Sequence, residues 1–202
     1  MISVPGEHPA PPADLTSRSP LTFTVPVGTT LFRLHDRSKG PLFFGRTGRN
    51  RFDAPDGSFG VLYAAVDEHC AFIETFGQST GIRIITRASL EQRVLSELKV
   101  MQPLILIDLA RSGGLARIGA DGRLLTGSYA VAQQWSAALR RHPVKPAGLL
   151  YTARHDVARY ACALFDIPLS TFQLTNSGSL AGPQHSVLLG KILDVYGFGY
   201  ID

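Results

Sequence analysis

Cysteine is scarce in this chain, with two among 202 residues, and both Cys70 (before Ala71-Phe72-Ile73) and Cys162 (between Ala161 and Ala163-Leu164-Phe165) sit in apolar settings. That excludes a disulfide framework. Neither has a His or Cys at zinc-ligand spacing, so no metal site is expected and both read as small buried hydrophobes. Long hydrophobic runs are also missing. No stretch approaches the roughly 18 apolar residues of a membrane span, and residues 1–20 carry no cationic start followed by an apolar run. The expectation is a protein neither exported nor membrane-spanning, hence cytoplasmic. A third absence is a Gly-x-Gly-x-x-Gly that follows a strand and opens a helix, which disfavours a dehydrogenase that recycles a dinucleotide. There is no internal repeat and no second linker, so one domain is expected.

What is present is enough apolar material, 45% of residues, for a sizeable core. The net charge of +4 and pI near 9.3 decide little alone. Their distribution says more, because Arg33, Arg37, Lys39, Arg46, Arg49 and Arg51 fall within residues 33–51 with only Asp36 opposing them. Such a stretch suits a phosphate-bearing ligand. Residues 1–20, with Pro9, Pro11 and Pro12, read as a flexible arm or partner-docking tail, and residues 21–202 as the folded domain.

Alternating and β-branched patterns predict strands over 29–35, 61–65, 82–86, 94–100, 104–108, 147–151, 161–165 and 171–174. In the first, Leu31, Arg33 and His35 share one face and Phe32 and Leu34 the other, which points Arg33 away from the apolar side. Asp67 is an expected N-cap for a helix running to Phe76 with Gly77 as its stop. On that helix Glu74 lies four residues after Cys70, on or beside the buried stripe, where a carboxylate is out of place for a purely structural helix. Residues 89–93 form a short helical stretch. Thr126-Gly127-Ser128 can cap a second long helix from Tyr129 to about Arg141, which Pro143 and Pro146 end. Residues 40–60, dense in Gly and Arg but carrying Phe43, Phe44, Phe52 and Phe59, read as an ordered loop pinned by its aromatics. The fold class is α+β, mixed sheets with flanking helices.

Taken singly, each polar residue here has an ordinary structural reading: Arg33 salt-bridged, Glu74 a helix-surface charge, Tyr63 a rim aromatic, Ser128 an N-cap. Taken jointly, three segments carry a resemblance: Leu31-Phe32-Arg33-Leu34-His35; Asn50-Arg51-Phe52-Asp53-Ala54-Pro55 with Phe59-Gly60-Val61-Leu62-Tyr63-Ala64-Ala65; and Ala71-Phe72-Ile73-Glu74-Thr75-Phe76. In this order and spacing the chain resembles the RES-domain family, named for an Arg, a Glu and a Ser and related in fold to ADP-ribosyltransferases. The resemblance spans about residues 30–172 and weakens after Asp108. It implies Arg33 and Glu74 as the first two letters, Tyr63 as the pocket aromatic and Arg51 as a second arginine. Ser128 fits the third letter by context, with Ser136 and Thr152 as alternatives.

The resemblance further implies cleavage of the nicotinamide–ribose bond of NAD, as glycohydrolase or, with phosphate as co-substrate, phosphorylase. NAD would be substrate rather than resident cofactor. The implied partner is an Xre-type antitoxin, through which nucleic acid would be reached only indirectly. The residue chemistry is compatible. A carboxylate at Glu74 would stabilise an oxocarbenium-like transition state, Arg33 and Arg51 could fork onto a diphosphate, Tyr63 could wall the nicotinamide ring, and His35, on Arg33's face, could touch adenine or ribose. Nicotinamide leaves with its ring neutralised, so one carboxylate suffices. Two rivals are a mono-ADP-ribosyltransferase acting on a protein and a non-catalytic module binding nucleotide or nucleic acid through the basic stretch. Arg154 and His155 read as structural or pocket-rim residues, since His155 and Asp156, adjacent on an extended chain, would face opposite ways.

Overall fold

A computed structural model describes residues 9–79 and 81–202. The chain runs β1 (Thr22–Val25), β2 (Thr30–Asp36), β3 (Val61–Ala65), α1 (Glu68–Phe76), β4 (Ile84–Thr86), α2 (Arg87–Glu91), β5 (Arg93–Val100), β6 (Leu104–Asp108), α3 (Gly114–Ile118), α4 (Arg123–Thr126), α5 (Tyr129–Arg140), β7 (Gly148–Thr152), β8 (Tyr160–Phe165), β9 (Phe172–Gly178), α6 (Ser186–Tyr196) and β10 (Gly199–Ile201). Eight strands form one curled sheet in the order β1-β6-β7-β8-β3-β2-β5-β9, and β10 pairs with β4 in a second, two-stranded sheet. Within the large sheet only β6 and β7 run parallel. No helix among the described residues is long and apolar enough to cross a membrane.

Period-two alternation sends the side chains of the inner strands into two cores. Val61 and Ala65 join the larger one, with Tyr63 packed against it, whereas Leu62 and Ala64 join the smaller. The helices cover the larger core. Phe72 from α1 and Trp135 from α5 are both 0% exposed in it, and at roughly 1.5–3 kcal/mol for each large apolar side chain removed from water, such anchors fix where the helices lie. Leu42, Phe44 and Ile167, from connecting segments, close the smaller core.

The expectation of a polar face on β2 is corrected. Leu31 packs in one core and Phe32 and Leu34 in the other, because the strand lies inside the sheet between β3 and β5. The expectation for residues 1–20 is corrected in part. Residues 1–8 lie outside the described residues, but the segment from Pro9 on is fastened to α5 and its C-terminal end: Leu15 is buried, Trp135 Nε1 donates to the Pro9 carbonyl at 2.8 Å, and His142 Nε2 to that of Arg18 at 3.1 Å.

One seam of the sheet is nearly unzipped. β2 keeps seven registered pairs with β5, from Thr30↔Lys99 to Asp36↔Arg93, yet it meets β3 at the single pair Phe32↔Ala65. A sheet that parts between two inner strands leaves a cleft, and the site lies there.

Candidate active site

A cavity of about 200 Å³ opens at the β2/β3 seam, lined from β2 by Arg33, from β3 by Tyr63, from α1 by Glu74 and from the loop before β3 by Arg51. The fold thus brings four of the sequence-named residues to one wall. Tyr129, Tyr151, Thr152, Arg154 and His155 complete it from α5, β7 and the turn after β7.

Each named side chain is held by identifiable contacts. Asp67 caps α1 by accepting from Cys70 N at 2.8 Å, which sets the helix phase that turns Glu74 inward. At the other end, a Cβ on Gly77 would lie 2.5 Å from the Ile73 carbonyl oxygen and 3.1 Å from the His155 ring; glycine there lets the 153–156 turn close against the helix. That turn then grips the carboxylate, with Arg154 N donating to Glu74 Oε1 at 2.8 Å. Burial raises the Glu74 pKa from 4.5, while the backbone N–H groups of Arg154 and His155 and the charges of Arg154 and Arg51 oppose the rise.

Arg33 is half-buried and donates from Nη1 to the Pro41 carbonyl at 3.1 Å, and burial brings its pKa down to about 10. Arg51 spans the rim, donating to Gly127 O at 2.9 Å, with its guanidinium 4.5 Å from the centre of the Tyr129 ring. Its loop is organised by the fully buried Asp53, which accepts from Asn50 N at 3.1 Å and from the Tyr63 hydroxyl at 3.0 Å. Phe52 N donates back to the Tyr63 oxygen at 2.9 Å, Ser136 Oγ donates to Phe52 O at 2.7 Å, and Gln133 Nε2 donates to Gly48 O at 2.8 Å. Tyr63 therefore spends its hydroxyl on the loop and offers its ring to the cavity. Burial, and next the Asp53 charge, push its pKa well up from the ordinary value.

Two named residues are not brought to the lining. His35 is buried, with Nε2 2.9 Å from Ser96 Oγ on β5 and Nδ1 donating to the carbonyl of the next residue, Asp36, at 3.0 Å; both ring nitrogens have protein partners and the residue lies off the lining, so the expected contact with adenine or ribose is corrected. Ser128 occupies the N-cap position of α5, but its side chain makes no cap bond and it lies outside the lining, one residue before Tyr129. Of the alternatives, Ser136 is buried under the loop and Thr152 lines the cavity. The cationic stretch is likewise divided. Arg46 pairs with Asp166, Arg37 donates to Glu91 O at 2.7 Å, Lys39 stands over Phe43, and only Arg33 and Arg51 of the six reach the cavity. Both cysteines are free and buried, and burial pushes both thiols up, that of Cys162 to about 12.

A curled mixed sheet with flanking helices, parted at an inner seam where a half-buried carboxylate faces guanidiniums and phenols, defines an α+β protein with a single-carboxylate cleft. The family model of the RES domain matches residues 30–177, and the chain belongs to that family. It is 35% identical over 117 residues to the probable toxin y4kH of Sinorhizobium fredii (strain NBRC 101917 / NGR234), covering 57% of this chain and 89% of that protein. Among solved structures, the crystal structure of the M. tuberculosis MbcT-MbcA toxin-antitoxin complex contains a chain of the same fold, with a TM-score of 0.59 and 18% identity over 83% of this chain and 92% of that one.

Proposed function

We propose that this protein is the toxin of a bacterial toxin–antitoxin pair and that it cleaves the nicotinamide–ribose bond of NAD in the β2/β3 cleft, passing the ribosyl group to water or phosphate. The observation that carries this reading is the meeting of Arg33, Arg51, Tyr63 and Glu74, from two strands, a loop and a helix, on one cavity. The toxin assignment draws its support from family membership and from the relatives, one named a probable toxin and one solved within a toxin–antitoxin complex.

In this reading the C1′–N bond breaks heterolytically. Its electron pair stays on the nicotinamide nitrogen and neutralises the ring, so no proton need be supplied to the leaving group. Glu74, in a partly water-excluded wall, stabilises the positive charge that builds on the ribose. Arg33 and Arg51 hold the diphosphate, and the Tyr63 ring stacks against the base. Water or phosphate then attacks C1′ and sheds its proton to solvent. At about 200 Å³ the cavity is below the ~300–1,000 Å³ that enclose a drug-sized ligand, which suits one end of a dinucleotide rather than all of it. NAD acts as substrate, no resident cofactor is invoked, and the cytoplasm, where NAD is at hand, is the proposed place of action. An Xre-type antitoxin seated over the mouth would block entry and would be the only route to nucleic acid.

The test is incubation of the purified protein with NAD, with and without phosphate, followed by mass spectrometry of the products. Nicotinamide with ADP-ribose, or with its 1″-phosphate when phosphate is present, is expected. Consumption only when a second protein is added would instead favour a mono-ADP-ribosyltransferase. No consumption, with nucleotide binding that weakens steeply with salt, would favour a binding module.

A further inference from the structure

Three phenols line the cavity, and one is unlike the others. Tyr63 commits its hydroxyl to Asp53 and Phe52 N, and Tyr129, at the rim, lends its face to Arg51. Tyr151, on β7, is 7% exposed and lines the cavity with its ring 5.1 Å from that of Phe52. Among the described residues its hydroxyl has no hydrogen-bond partner, although it is not one of the polar atoms sealed from solvent without one. Buried phenols nearly always bond through oxygen, so a free one on a cavity wall calls for a partner from the ligand. Burial, and next the Glu74 charge, raise its pKa well above the ordinary value, so at neutral pH it is an O–H donor.

Position decides which ligand atom it meets. Arg51 and Tyr129 mark the outer rim, where Tyr129 is 37% exposed. Tyr151, 7% exposed and packed against the fully buried Phe52, is at the inner end, with Glu74 and Tyr63 in the same lining. With the diphosphate on Arg33 and Arg51 and the ribose at Glu74, the inner end receives the departing base. We infer that the Tyr151 hydroxyl donates a hydrogen bond to the carboxamide oxygen of nicotinamide and selects leaving groups that carry such a carbonyl, an assignment that rests on the NAD-cleavage reading above. The bond strengthens as the reaction proceeds. While the ring is a cation its carbonyl is a poor acceptor, and as the C1′–N pair returns to the ring nitrogen that oxygen becomes electron-richer, so the donor stabilises the transition state more than the bound substrate.

The test compares the full chain with Tyr151→Phe on NAD, on the acetylpyridine analogue, which keeps the carbonyl, and on the plain pyridine analogue, which lacks it. Tyr151→Phe removes only an oxygen without a protein partner and is expected to fold normally by circular dichroism. The expected result is a kcat about tenfold lower on NAD and on the acetylpyridine analogue, little change in KM, and no change on the pyridine analogue. An equal loss on all three substrates, or none, overturns the assignment. If the unaltered chain consumes no NAD, the function reading fails instead, and Tyr151 is judged by binding of free nicotinamide against pyridine: preference for nicotinamide that disappears in Tyr151→Phe upholds the donor role, and equal binding of both by the unaltered chain refutes it.

Discussion

The two halves of the cleft are built differently. Arg33 and Tyr63 stand on strands and Glu74 on a capped helix, all within residues 30–77, where regular periodicity dictates which way a side chain faces. The other wall, Tyr151 and Thr152 at the end of β7 and Arg154 and His155 in the turn beyond it, is placed by contacts across the fold, chiefly the Arg154 N–H to Glu74 bond and the packing of His155 against Gly77. The first wall carries the charges that the proposed chemistry needs. The second sets how those charges are held and which base is accepted.

If that division is right, substitutions should fall in a definite order. The largest effect belongs to Glu74→Gln, which keeps an acceptor for Arg154 N and loses only the charge: kcat/KM for NAD should drop by about a thousandfold. Because burial raises the Glu74 pKa, the charged carboxylate weakens the folded state above that pKa. The variant should therefore melt no lower than the unaltered chain at neutral pH. The same shift fixes the acid limb of activity. The working form is the carboxylate, so kcat/KM is full above the raised pKa and lost as pH falls through it, with a midpoint above 4.5. A pH profile with no limb above that value would remove Glu74 from the charge-bearing role.

Next comes Arg33→Lys, which keeps a positive charge but loses the fork. A cost of about a hundredfold in kcat/KM is expected from two missing charge-assisted hydrogen bonds. Steady-state kinetics indistinguishable from the parent would show that Arg33 touches no phosphate. Asp53→Asn should act through the loop, raising KM about tenfold as Arg51 loses its placement and lowering stability by about 1–3 kcal/mol in denaturant melts, the scale of a buried carboxylate's hydrogen bonds. Ser128→Ala should be smallest, within about twofold in kcat/KM, since its side chain makes no cap bond and lies off the lining. A loss of a hundredfold there would move Ser128 into the site and redraw the boundary between the two walls.

How much of this was legible in the sequence follows the same division. The β3 limits, the Asp67 cap and the α1 end at Phe76 are set by local signals, alternation and side-chain capping, and were readable as such. The strand β1, the helix α6 and the terminal β10 went unread, because their ordering depends on distant partners: β1 on β6, β10 on β4. Composition overstated the basic stretch, since Arg46 finds Asp166, a hundred and twenty positions away. Tyr151 was hidden inside the apolar run Gly148-Leu149-Leu150, which reads simply as a buried strand. Its signal was positional: a polar-tipped residue at a strand's end followed at once by Thr152, Arg154 and His155.

Release of nicotinamide from NAD by the purified chain, measured beside that by Glu74→Gln and Arg33→Ala variants verified as folded, bears most directly on whether one cleft does the chemistry. Brisk release by the parent and almost none by either variant is the predicted result. Equal release by all three would contradict it.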